Sequence, residues 1–404
     1  MKLLFLTPQR PYPPHQGTTI RNFNLIRELA SRHQIWLLTF LEPDQPTDHG
    51  PLIGLCQAVE TVPAPTRSTA TRLRQMLATN RPDMGWRLWS TEFEARLQAR
   101  LQTTGIDVVH IEGIEMAPYL PTIRQFAPQA RIIYDDHNAE WMLQQRNFSV
   151  DIKNPRRWIA AAYSLVQTLR LKRYERWVCQ QADSVVVCSR ADQQAIEQLD
   201  ASLKITLVSN GVDLETYANY SGQVIPFDLV FTGKMDYRPN IDAMLWFADQ
   251  VLPRILAERP QTTLGIVGQR PHSRLDRLKA SPAITITGYV DDILPYIAGA
   301  GVYIAPFRVG GGTRLKLLEA MAMRKPIVAT TVGAEGYPVS AGREMILVDD
   351  PAGMAAAILK LLEDEDARRQ LGQQAGQFVQ AHYSWQALVP RLERLYTDPH
   401  DGPA

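Results

Sequence analysis

The residues best suited to chemistry are densest in one short stretch of this 404-residue chain. In order, the stretch contains Gly310, Gly311, Gly312, Thr313, Arg314, Lys316 and Glu319. It follows a strand-like apolar run and opens a helix-like run, and the backbone N–H groups of a glycine-rich turn at a helix N-terminus bind phosphate. Arg314 and Lys316 add positive charge, while Glu319, about one helical turn further on, is suited to accept hydrogen bonds from a ribose diol. The stretch predicts a nucleotide-phosphate site, with a plain strand–helix turn and solvated charges as the alternative.

Four further polar or glycine-containing clusters also follow strand-like runs. They span residues 13–21, 135–138, 231–240 and 288–291. In the first cluster we expect Gly17 to let a ligand approach the backbone closely and Thr18 to cap a helix. His110 and Glu112–Glu115 follow another such run, where they either line an acceptor site or cap a strand end. Asp135 and Asp136 suggest a metal pair only weakly, because no further carboxylate cluster can be placed beside them.

The length of the chain predicts about two domains. The net charge of +1 gives no overall field that favours nucleic acid, so no nucleic-acid partner is expected. The three cysteines, Cys56, Cys179 and Cys188, have neither metal-ligand nor disulfide spacing, which favours a reducing, cytoplasmic setting. Met1 to Leu6 is too short for a signal peptide and predicts a buried first strand. No run has the length of a transmembrane helix, so we expect at most peripheral contact with the inner face of a membrane.

Strand-like and helix-like runs alternate along the chain, which predicts an α/β fold with parallel sheets covered by helices on both faces. The predicted strands of the first half are Leu3–Leu6, Ile35–Phe40, Val59–Val62, Val108–Ile111, Ile132–Tyr134 and Ser184–Cys188. Those of the second half are Leu229–Thr232, Thr263–Val267, Ile284–Ile286, Val302–Ala305, Ile327–Ala329 and Met345–Val348. The series restarts near Pro226, which predicts two doubly wound domains joined near residues 209–213, with ligands at the carboxyl ends of the strands, in a cleft between the domains.

Residues 141–177 interrupt this alternation with a segment rich in arginine, lysine and aromatic residues, which predicts long helices. Two interpretations of it stay open. Its charges form a solvated face while its aromatic side chains enter the core, or its basic and aromatic residues share one face that contacts a membrane or an acceptor.

Taken in order, these clusters resemble the retaining glycosyltransferases of the GT-B fold, specifically the large family numbered four. The linker-like 208–213 and the late Tyr383–Ser384–Trp385 extend the resemblance over nearly the whole chain. The resemblance implies two Rossmann-like domains facing a cleft: residues 1–208 on the acceptor side, 209–384 for the donor, and a helix over 385–404 that returns to the first domain. It implies transfer of a hexose-type sugar from a nucleotide-diphosphate donor to a glycan or lipid-linked acceptor in polysaccharide biosynthesis, with no cofactor and no required metal.

The resemblance also implies roles for individual residues. Glu319 holds the donor ribose, the amides of 310–313 meet the diphosphate, and Tyr289 and Val290 hold the base. The other implied site residues, which meet the donor sugar or its leaving phosphates, are Gly17, His137, Lys234 and Arg238. His137 has a plain strand-end hydrogen bond as its alternative, and the sequence does not choose between Lys234 and Arg238.

One departure from the common family pattern concerns the sugar-transfer site. A glutamate that contacts the transferred sugar is usual where this chain has Gly311, and a subgroup carries a Gly-Gly-Gly-Thr-Arg-x-Lys run instead. Arg314 or Lys316 is then expected to take over part of the sugar or phosphate contact. Two other functions stay open at this point: a nucleotide-sugar 2-epimerase of the same fold, and a nucleotide-sugar-binding protein without catalysis.

Overall fold

The computed structural model describes residues 1–14, 17–42, 48–152, 158–309 and 313–397. The chain divides into two compact units: unit 1, Met1–Ser209 with the chain from Leu388 onward, and unit 2, Asn210–Ala387. The predicted segments 1–208, 209–384 and 385–404 divide the chain close to the same points. Their roles as acceptor side, donor domain and returning helix stay predictions.

Unit 1 contains a parallel sheet of seven strands, in the order β3-β2-β1-β4-β5-β6-β7. The strands are β1 (Lys2–Thr7), β2 (Gln34–Leu41), β3 (Ala58–Pro63), β4 (Val108–Glu112), β5 (Arg131–Asp136), β6 (Ser184–Val187) and β7 (Ile205–Leu207). The helices are α1 (Gly17–Ala30), α2 (Leu52–Leu55), α3 (Thr69–Ala78), α4 (Met84–Arg87), α5 (Thr91–Thr104), α6 (Leu120–Phe126), α7 (Glu140–Asp151), α8 (Trp158–Gln181) and α9 (Arg190–Glu197). A 3₁₀ helix, Ile114–Tyr119, follows β4.

Unit 2 contains a parallel sheet of six strands, in the order β10-β9-β8-β11-β12-β13. The strands are β8 (Phe227–Thr232), β9 (Leu264–Val267), β10 (Ile284–Gly288), β11 (Ala300–Ala305), β12 (Ile327–Ala329) and β13 (Ile346–Leu347). The helices are α10 (Leu214–Ala218), α11 (Arg238–Trp246), α12 (Leu252–Glu258), α13 (Leu294–Ala298), α14 (Leu315–Ala322), α15 (Pro351–Glu363) and α16 (Glu365–His382). A π-helical turn, Phe247–Val251, joins α11 to α12, and a 3₁₀ helix spans Ser273–Ala280. The last helix of the chain, α17 (Trp385–Thr397), begins in unit 2 and continues in unit 1.

Local signals in the sequence account for several helix boundaries. The hydroxyl of Ser90 accepts a hydrogen bond from the N–H of Phe93 at the start of α5, and Gly105 adopts the left-handed conformation at its end. Asp350 caps α15 in the same way through the N–H of Gly353, with a proline at the first helical position, where no backbone donor is needed. These caps fix where helices begin and end around the two sheets.

All twelve predicted strands are present, in two parallel sheets as predicted. β7 was not predicted, because its three residues, Ile205–Leu207, form a half-buried edge too short to give an apolar run. The predicted long helices over 141–177 are α7 and α8. Tyr174 and Trp177 pack against the core of unit 1, as one of the two interpretations of this segment requires.

The strand order of each sheet reverses direction beside its first strand. In unit 1 the reversal lies between β1 and β4, and in unit 2 between β8 and β11. Loops that follow the two strands at such a point leave toward opposite faces of the sheet and open a crevice at the carboxyl ends, which is where α/β proteins bind ligands. In unit 2, Lys234 and Arg238 follow β8, and Lys316 and Glu319 follow β11. In unit 1, Gly17 follows β1 and Glu115 follows β4, whereas His137 follows β5.

Part of the linker-like segment contacts the Tyr383–Ser384–Trp385 run in unit 2. Val212 forms a β-bridge with Ser384 and donates its N–H to the carbonyl of Tyr383 at 2.9 Å. A side chain on Gly211 would place its Cβ 2.8 Å from the indole of the fully buried Trp385. Gly211 and Val212 therefore pack against the Tyr383–Ser384–Trp385 run, which explains why a glycine stands at 211.

Candidate active site

Lys316 lies at the reversal point of the unit 2 sheet, in the first turn of α14. Its Nζ is 4.5 Å from the ring centroid of Phe231 on β8 and 5.2 Å from that of Phe307, which follows β11. It also donates to Asn240 Oδ1 at 3.1 Å. Burial lowers the pKa of Lys316 to about 7, against the attraction of Glu319, which raises it. The named partners of this ammonium are two aromatic rings and one amide. A bound anion would therefore stabilise its charged form strongly.

A glycine makes room for Lys316. Gly233, directly after β8, has a φ of +152°, and a Cβ at this position would lie 2.4 Å from Lys316 Nζ and 2.8 Å from Asn240 Nδ2. The amide of Asn240 is itself fixed, because Nδ2 donates to the carbonyl of Lys234 at 2.8 Å. Gly268, after β9, must also be glycine, since its Cβ would lie 1.7 Å from the carbonyl oxygen of Gly233. The turn after β8 is thus packed to hold one lysine and one amide.

Glu319 lies one helical turn beyond Lys316 on the same helix. Its Oε1 accepts a hydrogen bond from the hydroxyl of Tyr217, on α10, at 3.1 Å. Burial raises the pKa of Glu319, while the Tyr217 bond and the charge of Lys316 act in the opposite direction. A carboxylate oriented by one phenol and partly buried is positioned to accept from a vicinal diol.

The remaining residues of the phosphate-type turn are only partly described. Gly310, Gly311 and Gly312 lie outside the described residues. Arg314 is the N-cap of α14, with its guanidinium 4.5 Å from the ring of Phe307 and its Nη1 3.3 Å from the carbonyl of Gly333. Thr313 is close to Gly336, where a Cβ would lie 2.7 Å from the Thr313 methyl group. Arg314 and Lys316 therefore share the Phe307 ring and bring two cations to one helix N-terminus.

The other residues predicted for unit 2 differ in exposure. Lys234 and Arg238 are exposed, Lys234 in the turn after β8 and Arg238 at the first position of α11. Tyr289 is 72% exposed in the loop after β10, whereas Val290 packs against the core. The structure thus brings Lys316, Glu319 and Asn240 together by named contacts, and leaves the side chains of Lys234, Arg238 and Tyr289 open to solvent.

In unit 1, His137 lies just beyond the carboxyl end of β5. Its Nε2 is 3.0 Å from Oε2 of Glu112, the last residue of β4. On the other side of this carboxylate, His110 Nδ1 lies 3.4 Å from Oε1, and His110 Nε2 is 2.8 Å from the hydroxyl of Tyr396. Although burial opposes ionisation, the hydrogen bond with His137 and the nearby His110 lower the pKa of Glu112 to about 2. The pKa of His137 is raised by Glu112, against the opposing effect of burial.

A buried ion pair supports this row of side chains. Arg21 on α1 donates to Asp135 Oδ2 through Nε at 2.9 Å and Nη2 at 2.7 Å, and to the carbonyl of Val208 through Nη1 at 3.0 Å. Ligand atoms of Glu112, Asp135 and His137 lie within 4.8 Å of one another, a spacing that a metal ion can bridge. The Arg21 guanidinium engages one oxygen of Asp135, Oδ2, and His137 engages one oxygen of Glu112, Oε2. The second aspartate, Asp136, instead accepts from the Tyr134 hydroxyl at 2.9 Å.

A polar cavity of about 220 Å³ opens at the reversal point of the unit 1 sheet. Its lining includes His137, Thr18, Glu115, Glu140 and Arg87. Burial, followed by repulsion from Glu115, raises the pKa of Glu140 to about 7. Among the residues expected at an acceptor site, Gly113, Ile114 and Glu115 line this cavity. Two others do not: His110 is fully buried and stacked on Phe5 at 4.3 Å, and Glu112 lies behind His137.

Several residues of these sites were not predicted from the sequence. They are Gly233, Asn240 and Tyr217 in unit 2, and Arg21, Arg87 and Glu140 in unit 1. Gly233 and Asn240 belong to the cluster 231–240, and Arg21 belongs to the cluster 13–21. Their positions after predicted strands could therefore be recognised from the sequence, whereas the residues that they contact could not. Gly17 is exposed at the first position of α1, with open space where its Cβ would be, and its predicted role stays a prediction.

Two known sequence families match this chain. Residues 16–216 match the family described as Glycosyltransferase Family 4, and residues 226–364 match the one described as Glycosyl transferases group 1. The two matches together cover most of the chain and correspond to units 1 and 2 in turn.

Individual relatives agree with the family matches. The glycogen synthase of Mycobacterium tuberculosis is 26% identical over 255 residues, which are 59% of this chain and 59% of that protein. Among solved structures, the sucrose-phosphate synthase of Thermosynechococcus elongatus superposes with a TM-score of 0.68 at 19% identity, covering 98% of both chains. The Anabaena protein HepE in complex with UDP superposes with a TM-score of 0.65 at 16% identity, covering 98% of this chain and 99% of its own. The matched region thus spans about three fifths of the length of the glycogen synthase.

Proposed function

The chain belongs to the glycosyltransferase family, with the GT-B fold, and from that premise we propose that it moves a hexose-type sugar from a nucleotide-diphosphate donor to a hydroxyl of a glycan or lipid-linked acceptor. One observation carries the donor half of the proposal. Lys316, with its pKa lowered to about 7 by burial, and Glu319, oriented by Tyr217, share one helix at the reversal point of the unit 2 sheet. A cation and a diol-accepting carboxylate about one turn apart match the diphosphate and ribose of one nucleotide.

Each donor contact has an assigned residue. Lys316 and Arg314 stabilise the negative charge that develops on the leaving diphosphate, which is the largest electrostatic change of the reaction. The exposed Lys234 and Arg238 add to this charge once the donor is bound. The amides of residues 310–313 take the phosphate oxygens, and Tyr289 and Val290 hold the base. Because these cations neutralise the diphosphate, the reaction needs no metal ion.

We propose that the sugar keeps its anomeric configuration. The bond from the anomeric carbon to the donor phosphate oxygen breaks, and a bond to the acceptor oxygen forms on the same face. The acceptor proton goes to the leaving phosphate oxygen, so no side chain is assigned as a nucleophile. His137 and Gly17 contact the donor sugar, and the cavity with Glu115 and Glu140 receives the acceptor. The three cysteines are buried and unpaired, which supports a cytoplasmic setting.

A two-step experiment tests the proposal. A thermal-shift screen with UDP-, GDP-, ADP- and TDP-sugars identifies the donor, since a ligand at a hundredfold excess over its Kd adds about 2.7 kcal/mol of stability. The selected donor is then incubated with and without a glycan and lipid extract. Acceptor-dependent release of the nucleoside diphosphate supports a transferase. Epimerised sugar without acceptor indicates the 2-epimerase, and donor binding without any turnover indicates a binding protein, and either result would overturn the proposal.

A further inference from the structure

A groove of unit 2 lies at the opposite end of α14 from Lys316. It has a volume of about 1030 Å³ and is formed by α10, α16, the end of α14 and the start of α17. Ala322, the last residue of α14, lines this groove, whereas Lys316 and Glu319 do not. Ligand pockets span ~300–1,000 Å³, so a groove of this size has room for several linked rings. It is a second candidate binding site, separate from the donor site.

Amide side chains line this groove. Gln373, Gln377 and Gln380 are exposed and spaced i, i+4 and i+7 on α16, which places them on one stripe of the helix. Asn219, at the end of α10, adds a fourth amide. Among the described residues, none of these four side-chain amides has a hydrogen-bond partner. We call the groove lined by these four residues the amide groove; each of its amides offers two N–H donors and one carbonyl acceptor.

The rest of the lining is mostly small and apolar. The small residues are Ala218, Ala322, Gly376, Ala381 and Ala387. A hexose ring has the complementary chemistry, because it carries C–H groups on its faces and hydroxyl groups around its edge. The small residues leave room for the ring faces, and the amides can both donate to the hydroxyl groups and accept from them.

Arg324 lines the amide groove from a backbone position that usually selects glycine. Its φ is +54°, its N–H donates to the carbonyl of Met321, and the N–H of Lys325 donates to the carbonyl of Ala320. These bonds form a Schellman motif at the end of α14, with an arginine in the left-handed position. A Cβ on Gly376 would lie 2.9 Å from Arg324 Cγ, so the stem of the arginine lies against this glycine. Among the described residues, the Arg324 guanidinium has no hydrogen bond or ion pair, so its donors are available to a ligand.

The charges of the amide groove favour a neutral ligand. Glu215 and Arg324 are the two charged residues among those that line it, and they have opposite signs. The C-terminus of α14, at Ala322, carries partial negative charge and disfavours an anion. Apart from Leu214, the lining has no large apolar side chain and no aromatic ring. Protein partners and single-stranded nucleic acids both rely on aromatic contacts, so neither matches this lining.

We propose that the amide groove binds a neutral oligosaccharide of hexose units. The amides of Gln373, Gln377 and Gln380 exchange hydrogen bonds with its hydroxyl groups, and Arg324 donates to its oxygens. The ring faces lie on the alanines and the glycine between them. The inference goes beyond the proposed function, because this binding requires neither a donor nor transfer, and either can fail while the other holds.

Isothermal titration calorimetry of the whole chain tests the proposal. The neutral probes are maltoheptaose, cellopentaose and mannopentaose, and the charged probes are pentagalacturonic acid and the pentamer of glucosamine. We expect saturable binding of a neutral chain and weaker binding of both charged chains. Gln377→Ala/Gln380→Ala should bind the neutral chain at least about tenfold more weakly, because several hydrogen bonds are lost, and alanine keeps the helix intact. Gln370→Ala/Gln374→Ala, a matched pair on α16 outside the groove, should bind like wild type.

A further variant separates binding from misfolding. Arg324→Gly removes the guanidinium and relieves the left-handed backbone, so oligosaccharide affinity should fall while the melting temperature does not. Lys316→Met should keep the oligosaccharide affinity of wild type, because this lysine does not line the groove. Wild type that binds none of the neutral chains, or binds a charged chain more tightly, would overturn the proposal. So would wild-type affinity in Gln377→Ala/Gln380→Ala, because the saccharide would then be bound elsewhere on the chain.

Discussion

The pKa of Lys316 predicts that donor binding takes up a proton. The ligand-free ammonium has a pKa near 7, because burial disfavours its charge. A bound diphosphate favours the charge through a charge-assisted hydrogen bond worth about 1.5–3 kcal/mol. That energy corresponds to a rise in the pKa of about one to two units on binding. Donor affinity should therefore be constant below pH 7 and fall roughly 10- to 150-fold as the pH rises through about 7 to 9.

Isothermal titration calorimetry measures this uptake directly. At pH 8 the wild type should take up about 0.4–0.8 proton per donor bound, read from the dependence of the observed enthalpy on the ionisation enthalpy of the buffer. A nucleotide sugar is the correct ligand, because its diphosphate is esterified at both ends and does not titrate in this range. Lys316→Met should bind with the high-pH affinity of the wild type at every pH, and Lys279→Met, an exposed lysine of the same unit, should match wild type.

The same substitution should have the opposite effect on stability. The folded-state pKa of Lys316 lies below its unfolded value of 10.5, so burial of this lysine lowers the free energy of unfolding. The reduction grows as the pH falls toward 7 and is constant below pH 7. Lys316→Met should therefore raise the melting temperature of the ligand-free protein while it removes most of the stabilisation by donor. A pH-independent donor affinity in the wild type, or equal proton uptake in Lys316→Met, would refute the reasoning.

Three further predictions concern the neighbours of this lysine and the unit 1 site. Gly233→Ala places a Cβ 2.4 Å from Lys316 Nζ. Donor affinity should therefore fall at least about tenfold, and the free energy of unfolding measured in urea should fall by ~1–3 kcal/mol. Unchanged donor affinity would contradict the packing of Lys316 against Gly233. Glu319→Gln should weaken donor binding about tenfold. It should bind the intact donor and a donor that lacks a ribose hydroxyl equally well, whereas wild type should prefer the intact donor. Discrimination equal to that of wild type would contradict a contact between the Glu319 carboxylate and the ribose. In Glu112→Gln, the pKa of His137, followed by NMR, should fall. The stability that the raised pKa of His137 contributes in wild type, present below pH 6.5 and lost as the pH rises through that raised pKa, should decrease in the variant, and an unmoved titration of His137 would contradict its bond to Glu112.

The fold could be predicted from the sequence because parallel strands are buried on both faces and so appear as apolar runs. β7 could not be predicted, because an edge strand of three half-buried residues has no such run. The order of strands within each sheet does not appear in any local pattern. The clusters around Lys234 and Lys316 could therefore each be recognised, while the contact between Asn240 and Lys316 that joins them could not.

The unit 1 site shows the same limit. Residues that end neighbouring strands could be expected to meet, yet their orientation decides their role. Glu112 points to two histidines instead of the cavity, and His110 turns inward to Tyr396, which is 286 positions later in the chain.

Hydrogen–deuterium exchange of the whole chain, with and without the donor chosen by the thermal-shift screen, tests the central claim most directly. We predict that the donor protects the amides of two segments of unit 2, residues 233–240 after β8 and residues 313–323, which include α14, and that Lys316→Met loses this protection at equal donor concentration. Saturating donor that leaves both segments exchanging at their ligand-free rates would contradict the assignment of the donor site to Lys316 and Glu319.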